Sequence, residues 1–415
     1  MKPLLFLLCL LPMFVSAQKN TLSKILDRSA TIAPVLREQE KYRVQIVYTQ
    51  IDRDAANRPA FSTYTYGMAA DRYFYPASTV KMPAALLALE KMNKVQVLGL
   101  DRNCVMISGA GTPPQTPVTQ DETSATGLPS MAHYIRKLFI VSDNDAFNRL
   151  YEYLGQEYLT RRLWEKGYTD ARILHRLSAP GFDAETNRYT NPVSFYEPPK
   201  SGQSWEQSKL LFHQGEVYSR VKSTLKLRDE QQGKGYINSA GEQVNEPFDF
   251  SGRNYISLRH LHDIVQAVMF PEDVAAERRF RLSADDQKFV WKCMSELPRE
   301  SDYPKYPEKD YPDGYVKFLM FGNTKERIPD HIRIFNKVGN AYGYLTDAAY
   351  FVDFNNGVEF LLAATIHINE NQIFNDGVYE YDQIGYPFLA NLGRAIYEHE
   401  LKRKKKHAPD LTIYR

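Results

Sequence analysis

Two side chains near residue 80 have the types and spacing that nucleophilic catalysis needs. Ser78 and Lys81 lie three residues apart, just before an apolar run at residues 84–89. Residues at i and i+3 share one face of a helix, so this spacing predicts neighbouring side chains near a helix start. A serine hydroxyl is a weak nucleophile until a base takes its proton, and a desolvated lysine can have a pKa low enough to do so. The pair alone is a weak signal, because such a spacing also arises by chance.

A second polar group lies in a short link between two apolar segments with helical character, residues 130–139 and 146–154. The link contains Ser142, Asp143 and Asn144. Serine, aspartate and asparagine are all favoured at helix N-caps, so a capping role is one interpretation. The other interpretation places these side chains in a site with the serine and lysine.

A third group lies on a strand near the C-terminal end. Lys337, Gly339 and Asn340 follow an alternating segment that begins at Ile332. Two more strands come next, joined by an Asn-Asn-Gly turn at residues 355–357, which is a strong hairpin signal. A final helix near residues 387–401 completes the predicted order of elements.

In this order the three groups resemble the motifs of the penicillin-recognising serine hydrolases, and among them the class A β-lactamases. Those enzymes carry S-x-x-K, S-D-N and K-T-G in the same sequence order. The resemblance implies an α/β (α+β) fold in which a five-stranded antiparallel sheet is flanked by helices. It also implies an all-helical part, with the active site in the cleft between the two. Residues 197–252 fall outside the resemblance and are expected to form a small β-rich insertion.

The resemblance implies a role for each polar residue. Ser78 would attack an amide carbonyl, and the backbone N–H groups of Ser78 and Asn340 would stabilise the oxyanion. Lys81 would accept the serine proton. Ser142 would pass a proton to the departing nitrogen, with Lys337 polarising its hydroxyl and attracting the substrate carboxylate.

Three more residues receive expected roles in the same way. Asn144 would hydrogen-bond the acylamide side chain of the substrate and Lys81. Gly339 would leave room for substrate against the strand edge. Asp143 is expected to brace its own loop.

Two departures from the family pattern concern substrate binding and turnover. Val338 lacks the hydroxyl that helps hold the substrate carboxylate in relatives. The loop that carries the deacylating glutamate in class A enzymes is also absent. Asp183 and Glu185 are the candidates to replace it, although a surface-loop role is favoured for both. Without a base for the water, the acyl-enzyme would form and persist.

Three functions are therefore compared. The leading hypothesis is hydrolysis of β-lactams through an acyl-serine intermediate. One alternative is a D-alanyl peptidase or esterase that acts on cell-wall fragments such as a peptidoglycan-derived peptide. The other is a non-catalytic penicillin- or peptidoglycan-binding protein that kept the fold.

Composition and the chain ends bound the rest. A basic start, an apolar run and Val15-Ser16-Ala17 predict a cleaved signal peptide at residues 1–17, hence a periplasmic or secreted protein. The hydrolase domain would span residues 18–401, and the basic tail at residues 402–415 is expected to be disordered in solvent. No later segment is long and apolar enough for a membrane span.

The remaining expectations concern partners. A formal net charge of only +2 argues against nucleic acid as the main partner. No cysteine–histidine cluster has metal-ligand spacing, so neither a metal nor a cofactor is expected, and a monomer is the expected state. Cys104 and Cys293 either pair in an oxidising compartment or remain as two free buried thiols.

Overall fold

The computed structural model describes residues 21–415, and the predicted signal peptide, residues 1–17, lies outside them. The strands in the described range are β1 Gln45–Arg53, β2 Pro59–Tyr66, β3 Val105–Ser108, β4 Tyr189–Thr190, β5 Val193–Tyr196, β6 Leu210–Gln214, β7 Val217–Tyr218, β8 Gln231–Gln232, β9 Gly235–Ile237, β10 Gln243–Val244, β11 Phe248–Asp249, β12 Ile332–Ala341, β13 Tyr344–Asp353, β14 Val358–His367 and β15 Ile373–Phe374. The helices are α1 Thr21–Arg28, α2 Ala33–Arg37, α3 Lys81–Val95, α4 Met131–Ile140, α5 Asn144–Leu154, α6 Gln156–Glu165, α7 Leu258–Met269, α8 Ala284–Ser295, α9 Phe318–Phe321 and α10 Tyr386–Lys402.

The main sheet has five strands in the order β12-β13-β14-β1-β2, and every neighbouring pair is antiparallel. The expectation of a five-stranded antiparallel sheet is therefore confirmed. Strand β12 forms one edge of this sheet, and its register pairs Lys337 with Ala348 and Gly339 with Thr346. The predicted lysine–glycine segment thus lies on an edge strand, whose outer side is open to another part of the chain or to substrate.

Helices cover both faces of the sheet. Helices α1 and α10 pack together on one face, while α7 and α8 pack against β12, β13, β14 and β1 on the other. Strand β13 is buried along its whole length. Burial on both faces explains why its sequence does not alternate strictly between apolar and polar residues.

Helix α3 is the centre of the helical part. It packs against α4, α5 and α6, and its first ten residues, residues 81–90, are all buried. A helical segment that is buried on all sides belongs to a protein interior. Because α3 begins immediately after Ser78, its burial fixes the place of the predicted nucleophile. None of the helices within residues 21–415, α3 included, has the length and apolar composition of a membrane span.

The predicted insertion at residues 197–252 contains short strands, as its composition indicates. Its strands also pair with elements on either side of it in the sequence: β6 with β5, and β9 with β15. The segment is therefore joined to the hydrolase part by strand ladders at both of its ends. Its limits at 197 and 252 remain a prediction.

The basic tail differs from the expectation of a disordered end in solvent. Leu411 and Tyr414 are buried, and the Tyr414 ring lies 5.2 Å from the Tyr350 ring. The Tyr414 hydroxyl donates a hydrogen bond of 3.0 Å to the Met269 carbonyl, and the Lys405 amine donates to the backbone. The buried side chains of Leu411 and Tyr414 anchor the tail. The run of lysines before them led to the prediction of a disordered end.

Both cysteines within residues 21–415 are free. Cys104 and Cys293 are buried and unpaired, so the alternative of a disulfide between them does not hold in this structure. Burial raises the pKa of both thiols. Each therefore behaves as a small apolar core residue.

Candidate active site

The predicted nucleophile lies on a tight turn. Ser78 belongs to the single 3₁₀ turn Ala77–Val80, directly before α3, and it is half-buried between buried neighbours. Ala77 has a φ of +46°, a left-handed conformation that a side chain disfavours by about 1–2 kcal/mol. Strain of this kind persists only where the surroundings impose it, and it is common at functional sites. The fold therefore holds the Ser78 backbone in one defined position.

Gly339 explains how strand β12 reaches this turn. A Cβ atom at this position would overlap the Pro76 carbonyl oxygen and would lie 3.1 Å from the Thr79 methyl group and 3.2 Å from the Ala77 Cβ. A side chain here would push the strand away from the nucleophile turn. The glycine is thus required by backbone packing, a reason that differs from the predicted one. Its contact with substrate remains a prediction.

Lys81 is the candidate base, and it is fully buried at the start of α3. Its amine donates hydrogen bonds to the Ser142 carbonyl, to Asn144 Oδ1 at 2.7 Å and to Ser142 Oγ at 3.3 Å. Burial lowers the pKa of Lys81 to about 7, against a smaller opposing effect of the Asp143 carboxylate. A large share of this amine is therefore neutral at neutral pH.

The link before α5 combines both interpretations of its polar residues. The Asp143 carboxylate accepts a hydrogen bond of 2.8 Å from the Ala146 N–H, which makes it the N-cap of α5. Ser142 adopts a φ of +59°, and Ser142 and Asn144 turn their side chains toward Lys81. Capping holds for the aspartate, while its two neighbours face the site.

Lys337 reaches the same hydroxyl from the sheet. Its Nζ donates to Ser142 Oγ at 2.8 Å and to the Val338 carbonyl at 2.9 Å. Burial, and then the charge of Lys81, hold the pKa of Lys337 well below its usual value. The Ser142 hydroxyl thus lies between two amines, one from a helix and one from a strand.

A buried polar network that sequence reasoning missed lies beneath Lys337. Lys317 Nζ donates to Asn336 Oδ1 at 2.7 Å and to two backbone carbonyls, and Asn336 Nδ2 donates to Asp347 Oδ1 at 2.8 Å. Burial raises the pKa of Asp347 to about 6 and lowers that of Lys317 to about 7. The signal available in the sequence was Asp347, an aspartate in the middle of strand β13. The Asp347 charge also raises the pKa of Lys337 against its burial.

On the other side of Asn144, the loop that contains Ser178, Asp183 and Glu185 supplies a hydroxyl. Asn144 Nδ2 donates a hydrogen bond of 2.9 Å to Ser178 Oγ, and Ser178 has a φ of +47°. Sequence reasoning did not single out Ser178, because an isolated serine in a loop carries no spacing signal. The residue that contacts Asn144 from this loop is therefore neutral.

The two candidate carboxylates of that loop have local partners. Asp183 accepts hydrogen bonds from the N–H groups of Thr186 at 2.7 Å and Glu185 at 3.0 Å, which lower its pKa. Glu185 forms an ion pair of 3.5 Å with Arg188. Both side chains are exposed and stabilise the loop itself, although both line the cavity that Ser78 opens into.

Two cavities meet at Ser78, and we call them the first arm and the second arm. The first arm has a volume of about 1310 Å³, and its lining includes Arg176, Ser178, Phe182, Arg188, Arg253 and Tyr342. The second arm has a volume of about 740 Å³, and its lining includes Pro312, Tyr315, Val316, Asn323, Lys325 and Tyr386. The predicted nucleophile therefore faces a cleft that extends in two directions.

The predicted site residues divide between the arms. Ser78, Asn144 and Asn340 line both, whereas Ser142 and Val338 line the second arm only. The structure thus brings Lys81 and Lys337 together at the Ser142 hydroxyl, and Ser78 lines the same cleft. The Ser142 hydroxyl in this arrangement lies where it can deliver a proton into the second arm.

The comparison with known families agrees with this geometry. Residues 27–197 match the family model described as the β-lactamase enzyme family, so this part of the chain is similar to that family. No curated protein matches the chain significantly.

The chain is also similar in structure to several solved β-lactamases. One from Desulfarculus baarsii DSM 2075 has 13% identity and a TM-score of 0.46, with 93% of this chain and 100% of that chain covered. One from Chitinophaga pinensis DSM 2588 has 11% identity and a TM-score of 0.46, with 89% and 98% covered. A class A β-lactamase from Clostridium kluyveri DSM 555 has 13% identity and a TM-score of 0.44, with 89% and 97% covered. At these identities and TM-scores, the likenesses bear on neither activity nor substrate.

Proposed function

We propose that this chain is an exported, class A β-lactamase-like serine hydrolase that acts on β-lactam amides through an acyl intermediate on Ser78. The observation that supports this most is the hydrogen-bonded chain of Lys81, Ser142 and Lys337, which opens into the cleft beside Ser78. A buried amine with a pKa near 7 is matched to proton transfer at neutral pH.

Acylation begins when neutral Lys81 accepts the proton of the Ser78 hydroxyl. The serine oxygen then attacks the substrate carbonyl and forms a tetrahedral oxyanion. The backbone N–H groups of Ser78 and Asn340 stabilise that charge, because the absence of a side chain at Gly339 allows β12 to pack closely against the nucleophile turn. Preorganised donors of this type are each worth about 10²–10³ in rate.

Collapse of the intermediate requires a proton on the leaving nitrogen. Ser142 donates its hydroxyl proton to that nitrogen and regains one from protonated Lys81, with which it shares a hydrogen bond. Lys337 donates to the same oxygen and keeps the hydroxyl proton directed away from itself. Over the acylation half-reaction, the proton lost by Ser78 is the one gained by the amine product, and the C–N bond is replaced by a C–O bond.

Deacylation is the step that the loop leaves without a dedicated base. The group that contacts Asn144 from the loop is the Ser178 hydroxyl, which is not a base. Activation of the deacylating water would therefore depend on Lys81. This observation favours the second candidate function, a D-alanyl peptidase or esterase that acts on cell-wall fragments. Such an enzyme would be acylated by a β-lactam, and the acyl group would be hydrolysed from the serine only slowly.

Mass spectrometry of the intact protein with a fluorescent penicillin tests the proposal. We expect the wild type to gain the mass of one penicillin and Ser78→Ala to gain none. Rapid loss of the adduct supports β-lactam hydrolysis, whereas a persistent adduct supports the second candidate. The absence of both an adduct and penicillin hydrolysis on the wild type would contradict the acyl-serine mechanism and favour the non-catalytic alternative, and an adduct on Ser78→Ala would contradict the assignment of Ser78.

A further inference from the structure

The cations of the first arm differ in their partners. Arg176 is paired with Glu152 at 3.0 Å, and Arg188 is paired with Glu185 at 3.5 Å. Arg253 also lines this arm, yet within residues 21–415 no carboxylate lies within 4.0 Å of its guanidinium. A half-buried guanidinium without an acid partner retains its full capacity to bind an anion.

The Arg253 side chain is held in place rather than free in solvent. Its guanidinium lies over the Phe248 ring at 5.4 Å, and its carbonyl accepts a hydrogen bond of 3.1 Å from Arg172 Nε. The next residue, Asn254, accepts a hydrogen bond of 2.7 Å from the N–H of Leu174, which also lines the arm. A preorganised group loses less entropy when a ligand binds to it.

The position of the proton donor shows which part of a substrate enters this arm. Ser142 lines the second arm and not the first, and under the proposed function it protonates the leaving nitrogen. The leaving group therefore lies toward the second arm. The acyl substituent, on the other side of the carbonyl carbon, extends into the first arm toward Arg253. This step rests on the proposed function.

We propose that Arg253 is a specificity-determining residue that binds a carboxylate on the acyl substituent of the substrate. The planar guanidinium suits a carboxylate because both can form two parallel hydrogen bonds. The two acids that line the same arm have other partners: Asp183 accepts hydrogen bonds from backbone N–H groups and Glu185 pairs with Arg188, so neither forms an ion pair with Arg253. A charge-assisted contact of this kind corresponds to a preference of about 10- to 100-fold in acylation rate.

A matched pair of penicillins tests this assignment. Both are made from 6-aminopenicillanic acid, one with an N-succinyl side chain that ends in a carboxylate and one with an N-succinamoyl side chain that ends in a neutral amide. The measured quantity is the second-order rate constant of Ser78 acylation, with Arg253→Gln and Arg253→Lys beside the wild type. The control is Lys325→Gln, which removes the exposed cation of the second arm.

We expect the wild type to favour the succinyl compound about 10- to 100-fold. Arg253→Gln should abolish the preference and leave the succinamoyl rate within about twofold, Arg253→Lys should keep part of it, and Lys325→Gln should keep all of it. Higher ionic strength should reduce the preference in the wild type itself, which is a readout that does not depend on how a variant folds.

Several outcomes would overturn the assignment. These are equal rates for the two penicillins on the wild type, a preference that survives Arg253→Gln, equal losses on both compounds, and a preference that Lys325→Gln removes. In all four cases Ser78 is still acylated, so the proposed function stands while the role of Arg253 fails. If neither penicillin acylates the wild type, the proposed function itself fails and this inference fails with it.

Discussion

The pH dependence of Ser78 acylation is the sharpest test of the buried base. Lys81 accepts a proton only as the neutral amine, and burial lowers its pKa from 10.5 to about 7. At pH 7 about half of it is then neutral, compared with about one molecule in 3000 for an ordinary lysine. We therefore expect the acylation rate constant to rise about tenfold per pH unit below pH 7 and to level off above it.

A single substitution should move this midpoint in a known direction. The Asp143 carboxylate raises the pKa of Lys81, so Asp143→Asn should lower that pKa and shift the midpoint to lower pH. An interaction of about 1 kcal/mol between the buried amine and the partly exposed carboxylate corresponds to a shift of about 0.7 pH unit. Asparagine caps a helix about as well as aspartate, so the start of α5 should be preserved.

The assay is the rate of labelling by a fluorescent penicillin between about pH 5 and pH 9, with thermal melts to confirm folding. Asp145→Asn is the matched control, because Asp145 lies in the same helical turn but pairs with Arg149. It should leave the midpoint in place. A wild-type midpoint near that of an ordinary lysine, or a shift of Asp143→Asn to higher pH, would refute the assignment of Lys81 as the base.

Three further substitutions follow from the same geometry. Ser178→Glu places a carboxylate beside Asn144 and should shorten the lifetime of the acyl-enzyme by about 10²-fold without slowing acylation, as followed by intact mass. Gly339→Ala forces a methyl group onto the Pro76 carbonyl and should lower the free energy of unfolding by about 1–3 kcal/mol in denaturant titrations, with loss of labelling. Lys81→Met should abolish labelling and raise the free energy of unfolding by about 1–4 kcal/mol. Because the folded-state pKa of Lys81 is lowered, its penalty is fully present below about pH 7 and disappears toward pH 10.5, so this gain should be largest at low pH.

Each of these outcomes has a clear opposite. An acyl-enzyme that persists unchanged in Ser178→Glu would show that a missing carboxylate is not what slows deacylation. Full labelling by Gly339→Ala would show that the approach of β12 to the turn is not needed for the oxyanion site. If the gain in the free energy of unfolding of Lys81→Met does not depend on pH, that gain does not arise from removing the titration of the lysine.

Local patterns in the sequence were sufficient for the elements that carry the site, and insufficient for their limits. The hairpin of β13 and β14 follows from its apolar strands and Asn-Asn-Gly turn, and helix α3 from its apolar run. The end of strand β1 at Arg53, by contrast, carries no such local signal. Arg53 pairs with the buried Glu359 at 2.7 Å, and no local pattern reveals a partner so far along the chain.

The site was predictable in the same uneven way. Motif order indicated that Ser78, Lys81, Ser142 and Lys337 converge, because a resemblance carries information about distant contacts that spacing alone does not. The contact of Ser178 with Asn144 had no such support, since one loop serine resembles any other. Contacts between residues far apart in sequence are set by packing, and packing has no single-residue signature.

The lowered pKa values of the buried amines explain why the fold tolerates these amines in its interior. Lys81, Lys337 and Lys317 are all desolvated, and Asp347 is the carboxylate within their network. Burial that lowers the pKa of each lysine also keeps the resting site close to neutral, so few uncompensated charges remain inside the protein. In the proposed mechanism, attack by the serine oxygen would produce the negative charge on the carbonyl oxygen and the positive charge on Lys81 together, so the two would offset each other. The proposed reaction would thus create its own counter-ion within the cleft, and little solvent would have to reorganise around the new charge.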